Sequence, residues 1–232
     1  MLNINKMNKT NKICVVLRGK HDFDGKWGTL DWKVCYKSLF DSVLVNFEKD
    51  KIDIYFQTYY SSELNELIKT YNPIKTVIML EDDVDKTNQA NNLVSILSEI
   101  KNPKQYKFIL ITRFDILYKK SYLEWNVDLE KISVPFIHPN GNINDCIHVL
   151  PPKYLHIFTE GVKKCMDNFH KIPIPRNLIH SMDNGKFYSD TDYPHIFPLN
   201  NNPYYILHRK RRWGFKNEED AVKVAKQQGY IV

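Results

Sequence analysis

The chain has 232 residues, of which 43% are hydrophobic, 13% aromatic and 26% charged. That composition excludes extended disorder and is enough to bury a sizeable core. The net charge is +6, but 33 basic residues are nearly matched by 27 acidic ones spread along the chain, which argues against nucleic acid as a partner; the dense basic cluster is "HRKRRW", starting at His208.

No apolar run approaches the ~20 residues of a membrane span, and the polar start "MLNINKMNKTNK" has no apolar core of a secretion signal. The expectation is a soluble protein without a transmembrane segment, in the cytoplasm, or in the host cytoplasm if the source is viral. Cys14, Cys35, Cys146 and Cys165 show neither CxxC spacing nor disulfide-like density, so they are expected as buried reduced thiols.

Residues 1–12 are polar and expected to fray. "ICVVLRG" (13–19) predicts a fully buried strand, and "HDFDGKWGTL" a loop. The spacing of Trp32, Cys35, Leu39, Val43 and Phe47 predicts a helix over 31–47 with Asp31 as N-cap. "IDIYFQTYY" then reads as strand and "SSELNELIKTY" as helix, with a serine N-cap and Pro73 as the stop. "KTVIMLEDD" is a third strand, followed by helical spacing at Leu93, Ile96, Leu97 and Ile100, and "KFILITRFDIL" (107–117) is a fourth. This alternation predicts an α/β fold: a single Rossmann-like domain with a mostly parallel central sheet flanked by helices.

Beyond residue 120 the rhythm changes. "KISVPF" and "DCIHVL" read as short strands, "PPKYLHIFTEGVKKCMDNF" as a helix with Pro152 in its first turn. Residues 171–206 read as irregular, and "NEEDAVKVAKQQG" as a last helix ending on Gly229. The expected organisation is one domain over 13–232, with a Rossmann-like half at 13–120 and a second half with an irregular C-terminal extension at 121–232.

In an open parallel sheet the ligand crevice lies beyond the carboxyl ends of the strands. The residues that fall there are Arg18 and Gly19, Gln57 and Thr58, the acidic run Glu81, Asp82 and Asp83, and Arg113 with Asp115. Arginines and carboxylates at one rim suit a ligand carrying phosphate together with a metal or sugar hydroxyls.

Five pieces in order, "VVLRG" (15–19), "DIYFQTYY" (53–60), "YNPIKTVIMLE" (71–81), "ILITRFDIL" (109–117) and "GNINDCIHVLPPKYLHIF", resemble the GT-A-fold glycosyltransferases that build bacterial and viral capsular polysaccharide and lipopolysaccharide. The resemblance covers roughly residues 13–160. It implies a GT-A-like fold and transfer of a sugar from a nucleotide-sugar donor to a glycan or other hydroxyl acceptor. The "RFD" triplet stands in the place of the DxD metal motif, whose carboxylates hold Mn²⁺ or Mg²⁺ against the diphosphate. Arg113 replaces the first aspartate, and an arginine can itself pair with phosphate.

On this reading Asp115 binds metal or donor, and Arg18, Gly19, Thr58 and Arg113 contact the donor. Arg209 closes the diphosphate from late in the chain, and Asp145 takes the acceptor proton as general base. Other readings stay open. Asp145 equally suits a turn cap, Arg18 a strand-end ion pair, and the tryptophans the core as well as a sugar platform. "EDD" at 81–83 and the D-x-D of Asp190 and Asp192 are alternative metal sites. A non-catalytic nucleotide- or carbohydrate-binding protein of the same fold is the alternative function, and nucleic-acid binding by the 208–212 cluster ranks last.

Overall fold

The computed structural model describes residues 12–25, 28–80, 89–134, 146–167, 196–198 and 204–206. In chain order the elements are β1 (Ile13–Arg18), β2 (Asp22–Gly25), β3 (Gly28–Asp31), α1 (Trp32–Ser42), β4 (Ile52–Tyr59), α2 (Leu64–Tyr71), β5 (Lys75–Met79), α3 (Gln89–Leu97) and β6 (Ile109–Arg113). There follow β7 (Ile116–Tyr118), β8 (Ile132–Val134), β9 (His148–Leu150), α4 (Leu155–Asp167), β10 (Ile196–Pro198) and β11 (Tyr204–Ile206). Among the described residues seven strands form one sheet in the order β10-β8-β9-β6-β1-β4-β5. Its pairings are parallel except those of β9, which runs against both β6 and β8.

Helices cover both faces. On one, Trp32 and Leu39 of α1 and Leu64, Leu67 and Tyr71 of α2 pack on Val15, Leu17, Ile54, Phe56 and Leu110. On the other, Leu93, Ile96 and Leu97 of α3 and Leu155, Phe158 and Val162 of α4 pack on Cys14, Val16, Tyr55, Ile109 and Ile111. Strand β1 is an interior strand between β6 and β4 and is buried along its whole length, which is why its sequence is a continuous apolar run rather than an alternation. At the sheet edge β5 is half exposed, a placement its apolar sequence does not announce.

Several local readings change. The expected loop after β1 forms the antiparallel hairpin of β2 and β3, pairing Asp22 with Asp31 and Gly25 with Gly28; four-residue strands without apolar alternation leave no periodic signal. Helix α1 stops at Ser42 because the Asn46 side chain donates to the carbonyls of Ser42 and Val43 (3.0 and 3.1 Å). Helix α2 starts at Leu64, with Ser61 Oγ accepting the Glu63 amide, and ends at Asn72, whose φ of 50° makes it a left-handed cap one residue before Pro73. The run 107–117 is two strands: the chain turns at Phe114–Asp115, and β7 leaves the main sheet to pair antiparallel with β11. Strands β10 and β11 lie within the stretch expected to be irregular. The helix expected over 217–229 lies outside the described residues. Cys14, Cys35 and Cys146 are buried thiols, and burial pushes the Cys14 pKa well above its ordinary value.

The first residue of the "DIYFQTYY" motif serves the core. Asp53 pairs with Cys14, four positions below the Arg18–Gln57 pair, about 13 Å from the carboxyl end of the sheet. There Asp53 Oδ2 accepts from the Tyr106 hydroxyl (2.6 Å) and meets Lys12 Nζ (2.8 Å). Burial and this hydrogen bond raise the Tyr106 pKa far above its ordinary value. Tyr106→Phe leaves a buried carboxylate short of one donor, and urea denaturation is expected to show a loss of about 1–3 kcal/mol.

Candidate active site

The carboxyl ends of β4, β1 and β6 lie side by side, and the last residues of β1 and β6 share one register row with Gln57 of β4: Arg18 is opposite Gln57 on one side and Arg113 on the other. Alternation along the strands puts these three side chains on the α3/α4 face, in line with Cys14 and Val16, with Tyr55, and with Ile109 and Ile111. On the same face Asn92 of α3 donates to the hydroxyl of Tyr59 (2.7 Å). The row is nearly closed to water: Gln57 is 1% exposed and Arg18 5%.

Gly19 continues β1 with a φ of +100°, a conformation open to glycine and costly for residues with a Cβ. Space is not the constraint, since a Cβ there would meet nothing within 4 Å. The Gly19 amide donates to the Gln57 carbonyl (3.0 Å) and to Gln57 Oε1 (3.2 Å), and the Gly19 carbonyl accepts from Thr58 Oγ1 (3.0 Å). With Oε1 turned to Gly19, the amide nitrogen Nε2 of Gln57 is left buried with no hydrogen-bond partner among the described residues. A buried donor left empty is unfavourable by itself and is the kind of group a ligand satisfies.

Arg113 and Asp115 meet each other. Arg113 Nε donates to Asp115 Oδ1 (2.8 Å) and Nη2 to Oδ2 (2.5 Å), a fork-to-carboxylate pair with side chains 17% and 5% exposed. Two guanidinium groups on neighbouring strands repel, and Asp115 offsets that repulsion at Arg113. Because both Asp115 oxygens are engaged and its charge is balanced, Asp115 alone is a poor ligand for a divalent cation. Among the described residues no three His, Cys, Asp or Glu side chains group closely enough to hold a metal. A cation at this end therefore needs carboxylates from outside the described residues, where Asp82, Asp83, Asp145, Asp190 and Asp192 lie.

Of the residues named from sequence, Arg18, Gly19, Thr58, Arg113 and Asp115 thus converge on one end of the sheet. Asp145 and Arg209 lie outside the described residues. Trp32 and Trp125 belong to the core, their indole N–H groups donating to Glu63 Oε2 (2.6 Å) and to the Lys120 carbonyl (3.0 Å). Sequence reading passed over His21. It is 1% exposed, and its ring nitrogens lie 2.6 Å from Thr58 Oγ1 and 2.6 Å from Ser61 Oγ. Nothing in "GKHDFDG" marks it apart from its place three residues after Arg18.

No protein-family model matches the chain, and neither does any curated sequence. Solved structures do. Galactosyltransferase LgtC, in complex with donor and acceptor sugar analogs, superposes with a TM-score of 0.53 at 11% identity, covering 92% of this chain and 95% of LgtC. The glycosyltransferase GlyE of Streptococcus pneumoniae TIGR4 gives 0.48 at 12% identity, over 82% of this chain; the chain spans only 45% of GlyE. The CTP:phosphocholine cytidylyltransferase LicC of Streptococcus pneumoniae gives 0.49 at 10% identity, over 94% of this chain and 99% of LicC. At such identities the likeness to LgtC is one of architecture, and on it the chain has the GT-A fold.

Proposed function

We propose that the chain is a nucleotide-sugar-dependent glycosyltransferase whose donor diphosphate lies against the carboxyl ends of β4, β1 and β6 and whose acceptor is a glycan hydroxyl, as in polysaccharide biosynthesis. The observation that carries the reading is the buried row Gln57–Arg18–Arg113: two guanidinium groups and an empty amide donor, all hydrogen-bond donors, at the sheet end where α/β folds bind ligands. Phosphate oxygens accept hydrogen bonds from such donors and complement the positive charge of two guanidinium groups, whereas a neutral sugar offers them no opposite charge.

In the transfer the acceptor oxygen attacks the anomeric carbon, and the bond from that carbon to the diphosphate oxygen breaks, with its electron pair leaving on the nucleoside diphosphate. Arg18 and Arg113 stabilise the charge that develops there. Asp115 holds the Arg113 fork in place, and the Gly19 turn lets backbone approach the donor closely. Asp145 accepts the acceptor proton, and Arg209 covers the diphosphate. When Mn²⁺ or Mg²⁺ is bound it supplies further neutralisation of the leaving group, with Asp115 as one ligand and the others from the acidic residues outside the described set.

The alternative of a non-catalytic nucleotide-binding protein draws on the Arg113–Asp115 pair being closed on itself. One experiment separates them. Uridine and guanosine diphosphates are titrated by calorimetry, and a panel of nucleotide sugars is assayed for released nucleoside diphosphate, each with Mn²⁺ and with a chelator. Binding with sugar release is expected. Binding without release from any donor supports the alternative, and the absence of any nucleotide binding removes both readings.

A further inference from the structure

We propose that His21 is a positioning residue that ties the exits of β1, β4 and β6 together through one tautomer of its ring. It follows β1 by three residues and touches the exits of the other two. Nδ1 lies 2.6 Å from Thr58 Oγ1, Nε2 lies 2.6 Å from Ser61 Oγ, and the ring meets Phe114 edge-on at 5.9 Å between centroids. Phe114 separates Arg113 from Asp115 in the chain and is 0% exposed.

The hydrogen count assigns the roles. A hydroxyl has one hydrogen to give. Thr58 gives its hydrogen to the Gly19 carbonyl, so Thr58 Oγ1 accepts from His21, and Nδ1 carries the proton. Ser61 Oγ accepts the Glu63 amide at 3.2 Å, and its own hydrogen is available to Nε2. The chain Ser61 to His21 to Thr58 to the Gly19 carbonyl uses each of these hydrogens once when the ring carries its proton on Nδ1 and accepts at Nε2. Gly19 is held from its other side by the Gln57 carbonyl and Oε1, so the left-handed turn after Arg18 is gripped at both its donor and its acceptor. His21 lies on the α1/α2 side with Thr58, away from the proposed donor row, and so acts through Gly19 and Arg18 rather than by touching a ligand.

The consequence for nucleotide affinity rests on the donor reading above; the tautomer and the grip on Gly19 do not. The test uses His21→Phe, which keeps a ring against Phe114 and loses both hydrogen bonds, and His21→Asn, whose amide N–H falls near the place of Nδ1–H. In the wild-type protein, ¹⁵N NMR of the imidazole is expected to show a protonated Nδ1 and an unprotonated Nε2. In His21→Phe, amide exchange at Gly19 accelerates and the affinity for uridine diphosphate and the donor KM each weaken about tenfold, kcat changes less than about twofold, and His21→Asn recovers most of the loss. A ring protonated at Nε2, or unchanged Gly19 exchange in His21→Phe, overturns the proposal. If His21→Phe does not fold, the NMR signature and the Gly19 exchange of His21→Asn decide. If the wild type binds no nucleoside diphosphate while Gly19 exchange still responds, the positioning role stands and the donor reading falls.

Discussion

Asp115→Ala is expected to lower the stability of the protein by about 3–5 kcal/mol, because it leaves the largely buried Arg113 guanidinium without the carboxylate that now takes two of its hydrogen bonds. For a chain of this size that is a fall in melting temperature of roughly 6–20 °C. The cost lies in stranding the charge more than in losing the pair. The double variant Arg113→Met with Asp115→Leu removes both charges and is expected to recover most of the stability, while abolishing nucleoside diphosphate binding. Thermal melts of the two variants side by side read this directly. If Asp115→Ala melts with the wild type, the fork is not formed in solution. The comparison also guards the functional assay: loss of turnover in Asp115→Ala counts as a site effect only when measured below the lowered melting transition.

Arg18→Met is expected to weaken uridine diphosphate binding at least thirtyfold, equivalent to ~2 kcal/mol for a buried charge lost from an ionic contact. Methionine keeps most of the apolar stem that fills the space beside Val16 and removes only the guanidinium. Uridine, which has no phosphate, separates a diphosphate contact of Arg18 from a contact with the base. If its affinity is unchanged, the arginine meets the diphosphate, and if it falls in parallel, the arginine meets the base. Arg18→Lys restores charge without the planar fork and is expected to fall between the two. Equal nucleotide affinity in all three proteins removes Arg18 from the site and with it the central member of the row that motivates the function.

How much of this was readable from sequence depends on whether a signal was local. Strands β1 and β4 announce themselves because both faces are buried and their residues are apolar or β-branched almost throughout. The rule that ligands gather at the carboxyl ends of parallel strands brought Arg18, Gly19, Thr58, Arg113 and Asp115 into one list, and the structure brings them to one end of the sheet. What stayed hidden was pairwise. "RFD" gives no sign that the arginine folds back on the aspartate two residues on, since that follows from the turn at Phe114 and the departure of β7 to pair with β11. Nor does "IDIYF" reveal that its aspartate serves Tyr106 and Lys12, from parts of the chain more than forty residues away on either side. The left-handed Gly19 was nameable as a glycine after a strand, but its grip by Thr58 and His21 depends on the register of β1 against β4.

The place of β1 has a bearing on biosynthesis. It precedes both of its neighbours in the chain yet is paired on each side, by strands that end at Tyr59 and Arg113. At roughly 5–20 residues per second of translation, about five to twenty seconds separate the emergence of Arg18 from that of its counterpart on β6. Throughout that interval "ICVVL" is a nascent apolar segment with at least one flank unprotected, a natural target for chaperone capture and the stretch where overexpression is most prone to end in inclusion bodies.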